Sequence, residues 1–173
     1  MKITKKIAAI LTLLFTSWMP MTAQQSSFKK EFLKKWKNSL EYTIDVAQKM
    51  PESSYSYKPT EDVRSFGEQM VHIGEGMAYI GNSALDFQTV PQPTNANDKN
   101  AVISYLKKQY NALSEAAETK DASYFEETTS FWAGRMSRRK ILNIVFNHCT
   151  HHRAQAIVHL RMKGIKAPSY IAW

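Results

Sequence analysis

The segment SRRKILNIVFNHCTHHRAQAIVHLRMKG (137–164) decides the fold, because it contains a complete helix with recognisable ends. Ser137 is a residue type that caps helix N-termini, and Gly164 is the type that most often ends a helix in a left-handed conformation. Between them, apolar side chains recur with helical spacing. We therefore predict a long amphipathic helix over about 138–163.

The same helix carries three of the five histidines of the chain, at positions 148, 151 and 152. His148 and His152 are four residues apart, so they project from one helical face one turn apart and could bind one ion together. His151 is three residues from His148 and could replace His152 in that pair. The spacing predicts a metal-binding pair and leaves its second member open.

The composition favours one globular domain with a packed core. The chain has 173 residues, of which 43% are hydrophobic, and this argues against a disordered protein. Cys149 is the single cysteine, so an internal disulfide is excluded and stability must come from packing. On a helix Cys149 points about 100° away from His148, and we therefore assign it to the core.

Residues 1–23 have the layout of a secretory signal peptide, with a basic start, an apolar run and small residues near the end. The apolar run is too short for a stable membrane span, so we predict no transmembrane span in the mature protein. We expect cleavage near Ala23, a mature domain over 24–173, and export to the periplasm or out of the cell.

The formal net charge is +8, and removal of the three lysines in the predicted signal peptide lowers it to +5. Much of this charge lies in residues 29–37 and 135–140, and basic residues interleaved with aromatic ones are a feature of some nucleic-acid-binding proteins. We interpret residues 29–37 instead as the solvated lysine face of a helix that buries Phe32 and Trp36. We therefore expect no nucleic-acid partner.

Hydrophobic periodicity predicts three further helices, at about 27–50, 66–84 and 98–119. The segments between them lack helical spacing and predict long loops at 51–64 and 88–100 and an irregular crossover with a short extended piece at 120–137. Four helices with almost no alternating segments favour an all-α, antiparallel four-helix bundle.

The second predicted helix has a strong start signal and a weak interior. Ser65 and Glu68 form a capping-box pattern. The interior holds four glycines, at positions 67, 74, 76 and 81. Each lowers the stability of the helix by about 0.5–1 kcal/mol relative to alanine. Small residues at these positions would let a neighbouring helix, or a ligand between helices, come close.

The second helix also offers a third metal ligand, His72. If this helix faces the last one, His72 could complete a three-histidine site with His148 and His152, and such a site keeps positions open for water or substrate. Three side chains share the helical face of His72 and are candidates for proton handling or for support of the ligands: Glu68, Glu75 and Tyr79.

Two further polar residues of the last helix, Arg153 and His159, are weaker candidates for the site. Arg153 could orient a substrate, but we interpret it as a surface residue. His159 lies seven residues after His152, too far to bind the same ion, and we interpret it as a packing or surface residue.

Two segments resemble a known family. Residues 137–173 are similar to the last helix and tail of the DinB superfamily, in which the form His-x-x-His-His-Arg-Gly-Gln is followed by Leu-Arg, a Gly and a Pro-aromatic end. Residues 50–75 are similar to its first inter-helix region, where a Pro, an Arg-Ser pair and a later His recur. The superfamily includes YfiT-like metal-dependent hydrolases and bacterial thiol S-transferases.

The resemblance implies a four-helix bundle that holds a divalent metal, such as zinc or nickel, by three histidines. Carried over by position, these ligands are His72, His148 and His152. The chain departs from the family pattern at two places. Cys149 stands where many relatives carry Glu, which removes a carboxylate near the ligands, and Ala154 replaces the usual Gly, which mildly favours the helix.

We therefore expect an exported DinB-like protein that acts as a metal-dependent hydrolase or transferase on a small molecule. The alternative is a periplasmic bundle that binds a metal or a small ligand without turnover. A third alternative is that the basic segments dock on an acidic partner or an anionic envelope surface. Aromatic residues in 27–50 or 120–137 could support a homodimer, although monomeric bundles bury the same residues.

Overall fold

The computed structural model describes residues 19–171 and contains four helices, as the sequence predicts. The helices are α1 (Met19–Lys49), α2 (Phe66–Gly81), α3 (Lys99–Glu118) and α4 (Arg138–Met162). Short 3-10 helices occupy Glu52–Ser54 and Ala122–Glu126, and a two-stranded antiparallel sheet joins β1 (Thr128–Thr129) to β2 (Met136–Ser137). The predicted all-α four-helix bundle is confirmed, and the predicted crossover contains the short extended piece.

Two helix boundaries differ from the prediction. Helix α1 is already helical at Met19, eight residues before its predicted start, and residues 1–18 of the predicted signal peptide lie outside the described residues. Helix α2 ends at Gly81 rather than near residue 84. The side chain of Asn82 accepts a hydrogen bond from the backbone N–H of Phe87, which turns the chain away from the helix axis.

The helices form a ring in the order α1, α3, α2, α4, so that α1 and α2, which are consecutive in sequence, lie on opposite sides of the bundle. Helix α1 packs mainly on α3 and α4, and α2 packs mainly on the same two helices from the opposite side. The ammonium group of Lys29 near the start of α1 donates to the carbonyl of Glu118 at the end of α3, whereas Lys99 at the start of α3 donates to the carbonyl of Met50. Helices α1 and α3 are therefore antiparallel.

Helices α2 and α4 form the second antiparallel pair. Gln69 contacts Gln155, and Gly76, about two turns further along α2, lies against His148, which comes earlier in α4. Helices α2 and α3 instead run in the same direction, because Gly74 lies against Tyr105 and the later Gly81 lies against Leu113.

Helices α2 and α3 lie side by side and run in the same direction. The segment 82–98 therefore carries the chain from the end of α2 back to the level of its start. Helix α2 has 16 residues and is about 24 Å long at 1.5 Å per residue. The segment that follows it is mostly non-helical and spans that distance in an extended form. It lies beside the exposed face of α2, where it contributes to the cavities described below.

The core of the bundle contains a buried hydrogen-bond network between α1, α3 and α4. The indole of Trp36 donates to the carbonyl of Tyr110 at 3.0 Å, and the Tyr110 hydroxyl lies 3.0 Å from both Ser39 Oγ and Thr43 Oγ1. Arg153 completes the network, with its guanidinium donating to Ser39 Oγ at 2.9 Å and to Thr43 Oγ1 at 3.2 Å. Burial raises the pKa of Tyr110 far above its usual value, so its phenol stays protonated.

The interpretation of Arg153 as a surface residue is wrong, since its exposed fraction is 2%. Helix α4 buries one face against α2 and another against α1, and Arg153 lies on the face towards α1. The guanidinium also stacks over the ring of Tyr42, 4.8 Å from its centroid. Three hydroxyl groups and an aromatic ring surround the guanidinium, and no carboxylate of the described residues pairs with it.

The crossover and the tail pack on the bundle through aromatic side chains. Phe125 is buried, and Trp132 at the tip of the β1–β2 turn is exposed. In the tail, the ring of Tyr170 contacts that of Tyr42 edge-on at 5.9 Å. Across residues 19–171, no helix combines the length and apolar character that a membrane span requires.

The cap of α2 yields a stability prediction. Ser65 Oγ accepts from the backbone N–H of Glu68, while the Glu68 carboxylate accepts from the backbone N–H of Ser65. Ser65→Ala should lower the free energy of unfolding by about 1 kcal/mol, measured by urea denaturation. Ser65→Asp keeps an acceptor at this position and serves as the control. An equal loss in both variants would contradict the role of the cap.

Candidate metal centre

Helices α2 and α4 bring three imidazoles together at their interface. His72 comes from α2, and His148 and His152 come from α4; each offers a ring nitrogen within 4.8 Å of those of the other two. The ring centroid of His72 lies 5.1 Å from that of His148 and 4.4 Å from that of His152. His151 is exposed and is not part of the cluster, so the structure favours His152 as the second member of the predicted pair.

Gly76 creates the space that the cluster occupies. A Cβ atom at this position would overlap with the imidazole of His148. The absence of a side chain therefore allows the His148 ring to approach the backbone of α2 closely. The glycines of α2 predict that a neighbouring group comes close to this helix. At Gly76 that group is the imidazole of His148, a candidate metal ligand.

Glu75 holds the ring of His72. Its Oε2 lies 2.8 Å from His72 Nδ1, within the same helix and three residues along the chain. A carboxylate can only accept at this contact, so His72 Nδ1 carries the proton and Nε2 presents a lone pair. Carboxylate–imidazole pairs of this kind fix the tautomer and orientation of metal-binding histidines.

Gln155, which Gln69 holds in turn, supports the ring of His152. Its Nδ1 lies 2.9 Å from Gln155 Oε1 and 2.7 Å from Gln69 Nε2. Gln155 Oε1 also accepts from Gln69 Nε2, which joins α2 to α4 beside the ring. When Nδ1–H of His152 donates to Gln155 Oε1, the lone pair of the ring lies on Nε2, as it does in His72, and Gln69 Nε2, itself a donor, bonds to Gln155 and not to the ring. Sequence reasoning missed both glutamines, although each lies three residues from a cluster histidine.

The third ring, His148, has a buried Nδ1 with no hydrogen-bond partner among the described residues. Burial, together with smaller effects of the neighbouring His152 and His72, lowers the pKa of His148 to about 4. Burial also lowers the pKa of His152 to about 4. Both rings are therefore neutral at pH 7, which is the form that binds a metal ion.

These features fit a divalent metal ion. Three neutral imidazoles are a typical donor set for zinc, nickel and related ions, and three protein ligands leave coordination positions for other groups. The unpartnered Nδ1 of His148 costs free energy in a protein without an ion, because a buried polar atom lacks its hydrogen bond. Only Glu75 supplies a carboxylate in direct contact with the cluster within the described residues.

Three of the other candidate residues lie away from the cluster. Glu68 caps α2 and pairs with Lys58 at 3.9 Å, which places its carboxylate at the helix N-terminus. Tyr79 is 70% exposed, and Arg153 faces α1. Cys149 is fully buried, as predicted, and burial raises the pKa of its thiol to about 12. Helix phase brings Glu68 and Tyr79 near the face of His72 but not within contact distance.

A cavity of about 1110 Å³ lies beside the residues that support the cluster, although none of the three histidines lines it. Its walls are the loop over residues 58–64, the exposed face of α2, residues 92–96 and the C-terminal part of α4. Three residues that hold the cluster also line the cavity, namely Gln69, Glu75 and Gln155. The cavity has the size of a small-molecule site, and a ligand in it would reach the groups that orient the imidazoles.

Comparison with known proteins identifies similar sequences. The model of the DinB family matches residues 19–171. The uncharacterised protein YjoA of Bacillus subtilis is 25% identical over 127 residues, which are 70% of this chain and 82% of YjoA.

Three solved structures share the fold. A DinB-like protein from Bacillus cereus superimposes with a TM-score of 0.73 at 21% identity, over 82% of this chain and 97% of that one. YjoA from B. subtilis gives 0.69 at 19% identity, over 83% and 99%. YfiT from B. subtilis gives 0.62 at 11% identity, over 80% and 89%, and is described as a probable metal-dependent hydrolase with an unusual four-helix bundle topology.

The space at Gly76 yields a prediction about metal binding. Gly76→Ala should displace the His148 ring and weaken the binding of zinc, measured by calorimetric titration, by about tenfold or more. Gly74→Ala is the matched control, because its Cβ would meet Tyr105 on α3 instead of the cluster. Both changes overpack the bundle at about 1–3 kcal/mol, so an equal loss of zinc in both would refute the role of Gly76.

The histidine pKa values yield a prediction about pH. His148 and His152 have a pKa of about 4 in the folded protein against 6.5 ordinarily, so between these values the unfolded chain binds more protons. The metal-free protein should therefore be most stable above pH 6.5 and lose stability as the pH falls towards 4. Urea denaturation at several pH values would measure this slope, and His148→Ala should make it shallower. A slope unchanged in that variant would contradict the assignment.

Proposed function

The chain belongs to the DinB family, and from that premise we propose that it is a metal-dependent hydrolase with a small-molecule substrate. One observation carries the proposal: three imidazoles from two helices converge, each with a ring nitrogen within 4.8 Å of the others. The fold shared with YfiT, which is described as a probable metal-dependent hydrolase, adds support at the level of fold.

We propose His72, His148 and His152 as the ligands and zinc or nickel as the metal. The donor set is the basis of this choice, since imidazole suits these borderline ions better than calcium or magnesium, which prefer oxygen ligands. The two rings with depressed pKa values, His148 and His152, do not need to lose a proton before they bind the metal at pH 7.

In this proposal the residues of the chain hold the metal ion and orient the imidazoles, and the bound ion supplies the reactivity. A bound divalent cation acts as a Lewis acid, lowering the pKa of a nucleophile that it binds and stabilising negative charge on the substrate. Glu75 accepts a hydrogen bond from His72 Nδ1–H, and Gln155 Oε1 accepts one from His152 Nδ1–H, so that both Nε2 atoms stay available. The adjoining cavity provides the volume in which a substrate would lie.

Hydrolysis is favoured over thiol transfer because we propose that the protein is exported. Residues 1–23 have the layout of a secretory signal peptide. Thiol transfer in relatives depends on low-molecular-weight thiols of the cytoplasm, and a protein in the periplasm or outside the cell would lack that supply. Water, the second substrate of a hydrolase, is present in every compartment.

The second candidate is a periplasmic bundle that binds a metal or a small ligand without turnover. The geometry around Glu75 favours this alternative. Its carboxylate is the one in contact with the cluster within the described residues, and that contact is taken by His72. A separate proton acceptor near the cluster is therefore lacking in the same part of the chain, which suits binding better than general-base catalysis.

Metal content tests the proposed centre. Purified protein should contain about one zinc or nickel ion per chain by elemental analysis, and His148→Ala should reduce this content at least tenfold. His151→Ala is the matched control, because His151 is exposed on the same helix turn and lies outside the cluster. Metal at the same level in the wild type and His148→Ala would refute the centre.

A panel of esters, amides and thiol conjugates, assayed with several divalent metals, separates the two candidates. A hydrolase should turn over at least one substrate in the metal-loaded wild type and lose that activity in His148→Ala. Metal binding without turnover across the panel would favour the non-catalytic bundle instead.

A further inference from the structure

A second cavity, of about 450 Å³, lies between α2 and the segment 89–92, and we call it the side cavity. Glu75 and Tyr79 of α2 and Tyr105 of α3 line it together with that segment. Glu75 and Gln92 also line the larger cavity, so the two spaces adjoin along the exposed face of α2. Glu75 therefore belongs to the side cavity and also contacts the metal cluster.

One wall of the side cavity is attached to the bundle by a buried amide. Gln109 of α3 is fully buried, and its Oε1 accepts a hydrogen bond from the backbone N–H of Val90 at 2.8 Å. This bond joins the segment 89–92 to α3, the helix that also supplies Tyr105. The side cavity therefore has a fixed wall, as is typical of pre-formed ligand sites.

Tyr105 brings an unpartnered hydroxyl group to the side cavity. The residue is 4% exposed, and its hydroxyl has no hydrogen-bond partner within residues 19–171. A Cβ atom at Gly74 would overlap with the hydroxyl end of the ring, which places that end against α2 next to Glu75. Burial and the charge of Glu75 raise the pKa of Tyr105 to about 12, so the phenol is protonated at pH 7. A hydroxyl group this deeply buried without a partner costs free energy, and a ligand in the cavity would relieve that cost.

Glu75 supplies the charge of the side cavity. Its Oε2 accepts from His72, while its Oε1 has no hydrogen-bond partner within residues 19–171, and the side chain is 38% exposed. A carboxylate accepts several hydrogen bonds, so Glu75 can hold His72 and a ligand together. No lysine or arginine among the described residues lines this cavity. The local charge is therefore negative, although the net charge of the chain is +8.

We propose that the side cavity binds an organic ammonium group, with Glu75 and the Tyr105 hydroxyl accepting its hydrogen bonds and the Tyr79 ring beside its charge. An ammonium group has three N–H donors and no acceptor, which matches a carboxylate and a phenol oxygen. The hydrogen bond to Glu75 is charge-assisted. The ring of Tyr79 lines the cavity, and an aromatic ring within about 6 Å attracts a cation.

Other ligand chemistries match these groups less well. Glu75 would repel a carboxylate or phosphate group, and no cation of the described residues lines the cavity to offset that repulsion. A neutral ligand could bond to Tyr105 but would gain nothing from the charge of Glu75. In a hydrolase the ammonium group would belong to the substrate, beside the bond that is cleaved, and this assignment to a substrate rests on the proposed function.

Three probes with the same ring test the side cavity: 2-phenylethylamine, which is cationic at pH 7, the neutral 2-phenylethanol and the anionic phenylacetate. Each is titrated into the ¹⁵N-labelled protein as purified, and the shifts of the backbone amide signals report the affinity and the position of binding. The amine should bind about tenfold more tightly than the alcohol, with the largest shifts in residues 75–79 and 89–92. Phenylacetate should bind most weakly.

Two variants test the residues. Glu75→Gln should remove the preference for the amine over the alcohol. Tyr105→Phe removes only a hydroxyl group that has no partner in the described protein, so the fold should persist while the affinity for the amine falls about threefold or more. Glu61→Gln is the matched control for charge, because Glu61 is exposed and lines the larger cavity but not the side cavity. It should keep the preference.

Four results would overturn the proposal: equal affinities for the amine and the alcohol in the wild type, shifts that map away from the side cavity, a preference that persists in Glu75→Gln, or an affinity for the amine that is unchanged in Tyr105→Phe. The metal centre is tested separately by the metal content of the same preparation. Amine binding by protein without zinc or nickel would support the side cavity while counting against the metal centre.

Discussion

The contact between α2 and α4 at Gly76 is the constraint on which the rest of the site depends. The His148 ring occupies the volume in which any other residue at position 76 would place its Cβ. This position lets a ring from α4 lie against the backbone of α2, and His72 one turn earlier then faces the same point. An interior glycine costs about 0.5–1 kcal/mol in a helix, and here that cost is offset by the space it provides.

Each ring of the cluster has a different kind of support. A carboxylate orients His72, the amide of Gln155 orients His152, and the backbone surface of α2 confines His148. These supports leave the Nε2 lone pairs of His72 and His152 available, and the burial of His148 and His152 keeps them neutral. The bundle therefore pre-organises its imidazoles before any ion arrives.

Local sequence patterns predict the elements well, because caps and periodicity act over one or two turns. The capping box at Ser65 and Glu68, the cap at Ser137 and the positive φ of Gly164 are all found as expected. The convergence of His72 with the pair on α4 follows from i, i+4 spacing together with the family resemblance.

The remaining features depend on which helices become neighbours, and this is not encoded locally. Arg153 is buried because α4 has two packed faces, and a single helical wheel cannot show which face meets a polar partner. The supporting roles of Gln69 and Gln155 arise only when α2 and α4 are antiparallel with this register. Helices α2 and α3 can run side by side in the same direction because the long segment 82–98 connects the end of one to the start of the other.

The ring order of the helices also determines when during folding the site can form. Helices α1 and α2 meet few of each other's residues, and the partner of α2 at the cluster is the last helix of the chain. The essential contacts thus join distant parts of the sequence, which raises the contact order of an all-helical protein and slows its folding. A nascent chain that still lacks α4 has one imidazole of the three, so a metal ion at the proposed centre would bind only after α4 has docked.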